Sequence, residues 1–271
     1  FDSIDRKMLT EMLRQRIADE SLIRLVGKCL HVGVLDGEEY SEPSEGTVQG
    51  STLSPLLGNV YLHHVLDRWF EGEVKPRLRG GATLIRYADD LVICFEQEDD
   101  ARRVMEVLPR RMAKYSLTLH PEKTRVVPFI RPTEGRDKGK GPATFDFLGF
   151  TVYWRRTRRG RWGLGYKTRR ARLRAATKAV SDFCRRHRHE PIKEQHAALC
   201  RRLRGHNNYF GVSGNFRCLS VLHHRAKRLW CKRLRRRSQR TRLTWERFGR
   251  LLEVFPLPRP RIRVVLWGPA P

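Results

Sequence analysis

The spacing of apolar residues predicts helices over much of the chain, because apolar positions three or four residues apart fall on one face of a helix. Two such stripes lie near the start, formed by Ile4, Met8, Met12 and Ile17 and by Leu22, Val26 and Cys29. A third helix is predicted to begin at Ser54-Pro55, with the serine as N-cap and the proline as the first helical residue. Its predicted buried face consists of Leu56, Val60, Leu62, Val65, Leu66 and Trp69.

Two runs of β-forming residues, 83–86 and 91–95, flank the sequence Tyr-Ala-Asp-Asp. This pattern predicts a hairpin with Asp89 and Asp90 at its tip. Adjacent carboxylates repel each other, and holding them together is costly unless cations lie between them. Such a tip suits nucleotidyl transfer, in which two Mg²⁺ ions about 4 Å apart hold the attacking and leaving oxygens. The alternative is an ordinary polar turn.

The remaining patterns are shorter strands and further helices. A strand is expected at residues 32–35, a helix over 99–115 (through Ala101, Val104, Val107 and Met112), a polar glycine-rich loop over 131–142 and an aromatic strand pair over 145–154. Beyond residue 165 the prediction is mostly helix. Two apolar stripes mark it, formed by Leu173, Ala176, Val180 and Phe183 and by Leu219, Leu222, Ala226, Leu229 and Trp230.

Charge divides the 271 residues into two parts. The net charge is +27, but residues 1–150 hold 22 Lys and Arg against 24 Asp and Glu, whereas residues 151–271 hold 34 against 5. We therefore expect a domain boundary near residue 150. A segment this basic indicates binding to a polyanion such as RNA or DNA, although charge runs often only solvate a helix face. The candidate RNA-binding residues are Arg225, Arg228, Arg233, Arg235, Arg236 and Arg237.

None of the six cysteines forms a Cys-x-x-Cys pair, and we expect the reduced thiols of a cytosolic protein. Zinc ligands could be sought among Cys184, His187, His189, Cys200 and His206, but their spacing fits no standard zinc pattern. No apolar run approaches the roughly 18–20 residues of a membrane span. We therefore expect neither a membrane partner nor a signal peptide.

Four motifs occur in the order found in reverse transcriptases. They are Gly-Thr-Val-Gln-Gly-Ser-Thr-Leu-Ser-Pro at residues 46–55, Tyr-Ala-Asp-Asp at 87–90, Leu-His-Pro-Glu-Lys-Thr at 119–124 and Phe-Leu-Gly-Phe at 147–150. Together they resemble the palm of group II intron-encoded reverse transcriptases. Residues 1–6 resemble the end of that family's first palm motif, from which Ser3 and Arg6 depart. Residues 203–210 and 236–240 are similar to the maturase-specific region (thumb, or domain X) of the bacterial intron proteins.

This resemblance implies an α+β fold, with a right-hand polymerase palm of antiparallel sheet and helices followed by an all-helical basic thumb. The expected domains are a partial palm at residues 1–154 and the thumb or maturase-specific domain at 155–271. The implied function is RNA-directed DNA synthesis from a primer on an RNA template, with dNTPs and Mg²⁺, together with binding and splicing of the group II intron RNA. The resemblance also implies that the protein lies in the cytoplasm of a bacterium and that a mobile element encodes it.

The resemblance also implies site residues. Asp89 and Asp90 would bind the metal, and Lys123 would neutralise or protonate the departing pyrophosphate. The implied substrate-binding residues are Phe1, Gln49, Gly50 and Tyr87. In this family a third metal-binding carboxylate lies five residues before the aromatic residue that aligns with Phe1. That position would precede the first residue here, so we expect a fragment that does not polymerise DNA by itself.

Two other functions stay open at this stage. An RNA-binding splicing factor with a silent palm would share the basic segment, but the intact Asp89-Asp90 pair argues against it. A retron or defence-type reverse transcriptase would share the palm, but the segments at 203–210 and 236–240 argue against that assignment.

Overall fold

The structure is a computed structural model, and it describes residues 4–30, 34–36, 39–41, 53–132, 143–157, 159–238 and 243–266. The chain divides into two compact units, unit 1 (Phe1–Pro128) and unit 2 (Phe129–Pro271). Each unit combines helices with antiparallel strands, which confirms the predicted mixture of helix and sheet. The division falls before the predicted charge boundary near residue 150, because the strands just before that boundary pair within unit 2.

Unit 1 contains four helices and two hairpins among its described residues. The helices are α1 (Arg6–Arg14), α2 (Glu20–Leu30), α3 (Ser54–Leu62) and α4 (Glu98–Ala113), and the strands are β1 (Val34–Asp36), β2 (Glu39–Ser41), β3 (Ala82–Tyr87) and β4 (Asp90–Phe95). Helix α1 is capped by Asp5, whose carboxylate accepts the backbone N–H groups of Lys7 and Met8. The two predicted N-terminal helices are confirmed, but the stripe predicted on α2 is wrong in part, because Leu22 is 42% exposed and the buried residues are Ile23 and Leu30.

Helix α3 continues into an irregular helical rod, with π-helical turns at His63–Asp67 and Phe70–Val74 and a 3₁₀ turn at Lys75–Arg77. The predicted start was wrong by one residue, because Leu53 already has helical angles and is itself the N-cap. The buried face also differs from the predicted one. Leu56 is 61% exposed, whereas the buried side chains are Leu57, Tyr61, Val65, Leu66, Trp69 and Phe70.

The core of unit 1 packs this rod against α1, α2, α4 and the hairpin of β3 and β4. On α4, Val104, Leu108 and Met112 are buried, whereas Val107, predicted to face the core, is 49% exposed. One face of the hairpin therefore rests on apolar side chains, while Asp89 and Asp90 at its turn are exposed.

Unit 2 begins with a three-stranded antiparallel sheet and continues with four helices. Its elements are β5 (Phe145–Phe147), β6 (Phe150–Arg156), β7 (Trp162–Thr168), α5 (Arg170–Arg186), α6 (Ile192–Phe210), α7 (Phe216–Leu234) and α8 (Trp245–Val254). The predicted aromatic strand pair is confirmed as β5 and β6. The segment 155–271 is not all-helical, however, because β7 pairs with β6 along its whole length.

Two buried polar side chains join the elements of unit 2. Gln195 on α6 accepts a hydrogen bond from the indole N–H of Trp230 on α7, and both side chains are almost completely buried. Asn215 accepts the N–H of Thr168, at the end of β7, and donates to Thr168 Oγ1 and to the carbonyl of Phe210 at the end of α6. The end of the sheet is thus fixed to the ends of two helices.

Candidate functional site

The Asp89-Asp90 pair lies at the tip of the antiparallel hairpin. Tyr87 on β3 pairs with Asp90 on β4, so Ala88 and Asp89 form a two-residue turn. Both aspartates are exposed, and within the described residues neither carboxylate accepts a hydrogen bond or an ion pair. The tip therefore presents two adjacent carboxylates that are available to an external cation.

The turn is held in an uncommon backbone conformation. Ala88 has a φ of +52°, a region that residues other than glycine rarely adopt. Tight hairpin turns need positive φ at their first central residue and usually place glycine there. An alanine in this region costs on the order of 1–2 kcal/mol, so its surroundings must stabilise it.

Arg86 provides that stabilisation by joining the turn to the helical rod. Its Nε and Nη2 donate to the two carboxylate oxygens of Asp67 at 2.8 and 2.6 Å. Its Nη1 donates to the side-chain oxygen of Asn59 at 2.9 Å and to the carbonyl of Ala88 at 3.0 Å. A planar guanidinium bound at three points fixes the position of the carbonyl that immediately precedes Asp89.

The contact with Arg86 also lowers the pKa of Asp67. Burial acts to raise the pKa of Asp67, but the hydrogen bonds and charge of Arg86, with a smaller contribution from His63, outweigh burial and hold this pKa below its ordinary value. The side chains of Arg86 and Asp67 are 13% and 26% exposed. Asp67 is therefore ionised and paired at neutral pH.

This group of positioning residues was missed in the sequence. Arg86 lies in a strand-forming run, and its partners stand 19 and 27 residues earlier in the chain. The available signal was a single arginine among apolar strand residues next to the acidic turn. Without the fold, nothing indicates which earlier carboxylate it contacts.

The other predicted site residues are less closely connected. Tyr87 is 68% exposed beside the turn. Lys123 is exposed in the turn after His120, and it forms no hydrogen bond or ion pair with either aspartate in the described part of the chain. Phe1, Gln49 and Gly50 lie outside the described residues. The described portion also contains no cluster of three or more histidine, cysteine or acidic side chains that could hold a metal.

The six predicted RNA-binding arginines fall into two groups. Arg225, Arg228 and Arg236 are exposed on and just after α7. The other three are engaged or enclosed within unit 2. Arg235 donates to the carbonyl of Leu243 and lies over the ring of Trp245, Arg237 donates to the carbonyls of His189 and Glu190, and the buried Nε of Arg233 has no partner. Unit 2 as a whole holds 38 Lys and Arg against 8 Asp and Glu.

No helix in the described ranges is both long enough and apolar enough to span a bilayer.

Parts of this chain are similar to known proteins. Residues 1–152 match the family "Reverse transcriptase (RNA-dependent DNA polymerase)". The chain is 28% identical over 141 residues to the Group II intron-encoded protein LtrA of Lactococcus lactis subsp. cremoris, covering 48% of this chain and 24% of that protein. It is 42% identical over 71 residues to a 91 kDa protein in the cob intron of Schizosaccharomyces pombe, covering 26% and 9%.

A third relative is Protein YkfC of Escherichia coli, with 30% identity over 118 residues that cover 34% of this chain and 31% of that protein. The chain thus spans less than a third of the length of each of these relatives. The family match covers more than half of the chain and contains the Asp89-Asp90 hairpin. On this basis the chain belongs to the reverse transcriptase family.

Proposed function

We propose that this chain is part of a group II intron-encoded reverse transcriptase and carries its catalytic hairpin. In this proposal the protein extends the 3′-hydroxyl of a primer on an RNA template with dNTPs, and it also binds its intron RNA and assists splicing. The observation that carries the proposal is the exposed, unpaired Asp89-Asp90 tip within a reverse transcriptase sequence. The names of the LtrA and cob intron relatives support the intron assignment.

Reverse transcriptases generally use divalent metal ions, and the tip fits such a cation. Mg²⁺ prefers hard oxygen ligands, which Asp89 and Asp90 offer without a competing ion pair in the described residues. When bound, Mg²⁺ would stabilise the charge that develops on the attacking and leaving oxygens. Arg86 does not neutralise the tip, because its charge is already paired with Asp67. It instead holds the turn in place, so the carboxylates need not reorganise during the reaction.

The remaining site residues are proposed from the resemblance. Lys123 would meet the pyrophosphate leaving group, and Tyr87, Gln49 and Gly50 would contact the nucleotide or template. Phe1 would exclude a ribose 2′-hydroxyl. The exposure of Tyr87 and Lys123 supports these roles, since a residue that meets substrate must be accessible.

Unit 2 is proposed to bind RNA through its excess of basic residues. We infer that the domain of residues 1–154 is a partial palm and that 155–271 is the thumb or maturase-specific domain, although the compact units divide the chain at residue 128. The exposed Arg225, Arg228 and Arg236 are the best phosphate contacts among the six arginines, because Arg235 and Arg237 have hydrogen-bond partners within the unit and Arg233 is half-buried. If about six phosphates are neutralised, affinity should fall on the order of 10³-fold between about 50 and about 200 mM salt.

The catalytic assignment is tested by Asp89→Asn in the protein as its gene encodes it. Loss of a metal-binding carboxylate commonly costs several kcal/mol of transition-state stabilisation. We therefore expect no primer extension on an RNA template, with RNA affinity unchanged. The matched control is Asp99→Asn, the same chemical change at an exposed position on α4. Normal extension by Asp89→Asn would refute the assignment, and inactivity of the unmutated protein would favour an RNA-binding splicing factor.

A further inference from the structure

A basic cleft in unit 2 involves none of the arginines proposed above. It has a volume of about 310 Å³ and lies between the last turns of α6 and the segment that follows α8. It is lined by Arg204, Asn207, Asn208, Pro258, Arg259, Arg261 and Arg263. Six of these seven residues can donate hydrogen bonds through their side chains, and none is acidic.

The α6 side of the cleft is one face of the helix. Arg204, Asn207 and Asn208 are three and four residues apart, so their side chains project in the same direction. Arg204 and Asn208 are exposed, whereas Asn207 is only 7% exposed. The amide of Asn207 donates to the carbonyl of Arg259 at 3.5 Å and so connects the two sides of the cleft.

The opposite side is an arginine row. From Pro258 to Arg263 the residues alternate between half-buried and exposed, and the exposed ones are Arg259, Arg261 and Arg263. This alternation is the pattern of an extended backbone, in which every second side chain points the same way. Every second residue of such a backbone is displaced by roughly 6.6–6.8 Å. Arg259, Arg261 and Arg263 alternate with half-buried residues, and all three are exposed and line the cleft.

The arginine row is held to the end of α6 by backbone contacts. The N–H groups of Arg263 and Val264 both donate to the carbonyl of Gly211, and the N–H of Ser213 donates to the carbonyl of Val264. A Cβ atom on Gly211 would clash with the carbonyl oxygen of Asn207 and lie 2.9 Å from that of Arg261, so the close approach of the two segments requires glycine. The cleft is thus formed before any ligand binds, which lowers the ordering cost of binding.

The charge of the cleft is not compensated within the described protein. No carboxylate lines it, and none of the four arginine side chains forms an ion pair or a hydrogen bond with a described residue. Other arginines of unit 2 do have such partners. Arg169 pairs with Asp146 and Arg250 with Glu246. Four arginines that line one cleft without a counter-charge favour an anion with several binding points.

From these observations we infer that the cleft binds the phosphodiester backbone of an RNA strand. Arg259, Arg261 and Arg263 would contact successive phosphates, and Arg204 and Asn208 would contact the strand from the α6 side. Guanidinium groups bind phosphate oxygens in pairs of hydrogen bonds, which suits a repeating row of phosphates. This inference rests on the proposed RNA binding of unit 2 and locates one part of that surface.

The test compares two triple substitutions in the full chain, each removing three positive charges. The cleft variant combines Arg259→Gln, Arg261→Gln and Arg263→Gln, and the control variant combines Arg170→Gln, Arg174→Gln and Lys178→Gln at exposed positions of α5. Binding of a short fluorescein-labelled oligouridylate is measured by anisotropy over a range of salt. Loss of three phosphate contacts should reduce the slope of log affinity against log salt by roughly 2 in the cleft variant. The control variant should change this slope by less than about 0.7, which is the contribution of one phosphate contact on a single strand.

A second pair of variants separates the shape of the cleft from its charge. Gly211→Ala keeps every arginine, but its Cβ would lie too close to the carbonyl oxygens of Asn207 on α6 and of Arg261 on the arginine row. The two sides of the cleft must therefore shift, and RNA affinity should fall at unchanged net charge. Gly205→Ala is the control, because a Cβ there meets nothing within 4 Å. Circular dichroism of all variants establishes that they fold.

The ligand is identified by two further probes. An oligouridylate with methylphosphonate linkages should bind weakly and equally to the original chain and to the cleft variant. Inorganic tripolyphosphate should displace RNA only at much higher phosphate concentration, and displacement at equal phosphate concentration would overturn the inference in favour of a general anion site. Equal losses in the cleft and control triple variants would also overturn it. If the unmutated chain binds no RNA at all, the proposed function of unit 2 is what fails.

Discussion

Replacing Arg86 should loosen the acidic turn even though no catalytic group is removed. In Arg86→Met, four hydrogen bonds disappear and Asp67 loses its ion-pair partner. Breaking a buried pair from one side costs about 3–5 kcal/mol, and each hydrogen bond to a charged group about 1.5–3 kcal/mol, but these values do not add. Because Asp67 is 26% exposed and water can partly replace its partner, we expect a loss of about 2–4 kcal/mol.

The assay is hydrogen exchange of the backbone amides in residues 82–95. If the hairpin opens as a local unit, a loss of about 2–4 kcal/mol raises the exchange rates of its paired amides roughly 30- to 700-fold. Arg86→Lys should recover only a small part of the protection, because an ammonium group cannot reach the carboxylate, the amide and the turn carbonyl together. The matched control is Arg125→Met, at an exposed arginine of the same unit that forms no side-chain hydrogen bond in the described structure.

The cause is isolated by a double-mutant cycle with Asp67→Asn. If the two side chains act as one unit, the double variant should lose clearly less than the sum of the two single losses. The reasoning is refuted if Arg86→Met exchanges no faster than Arg125→Met, or if the losses in the cycle simply add.

Three further results are expected. Ala88→Gly should maintain or raise the unfolding free energy of unit 1 in urea, by up to roughly 1 kcal/mol, because glycine accepts the +52° φ without strain; a clear loss would contradict this. Trp230→Phe should cost about 1–3 kcal/mol in urea unfolding, because the buried oxygen of Gln195 loses its donor; stability equal to the original chain would contradict this. Since the pKa of Asp67 is lowered by Arg86 in the folded state, the unmutated chain should have a higher unfolding free energy than Asp67→Asn. This difference should be complete above about pH 4 and should disappear as the pH falls further. A difference independent of pH would count against the ion pair.

The sequence was informative where structure depends on neighbouring residues. The hairpin could be predicted because β3 and β4 are branched and aromatic runs on either side of a short turn, and such runs pair when the loop is short. The helices α1, α2, α5 and α7 followed from their apolar stripes for the same reason.

Strand β7 was missed because its sequence is unfavourable for a strand. Its Trp-Gly-Leu-Gly-Tyr run contains two glycines, which are depleted in strands and suggest a loop. The structure explains Gly165, since a Cβ there would lie 2.7 Å from Cζ of Tyr153 on the neighbouring strand. Because the need for glycine at this position is set by a side chain 12 residues away, it leaves no periodic pattern in the sequence. The contact of Arg86 with Asp67 could not be predicted for the same reason.

The two π-helical turns of unit 1 make the length of its helical rod critical. The N–H of Arg68 bonds to the carbonyl of His63 and that of Lys75 to the carbonyl of Phe70, so each turn contains one residue more than an α-helical turn. Deleting one residue from either turn would restore ordinary helix and rotate the following side chains by about 100°. A deletion in the first turn would thereby swing Trp69 and Phe70 out of the core. An exposed substitution in this helical rod leaves its packing unchanged. An insertion or deletion, in contrast, changes which of the later side chains face the core.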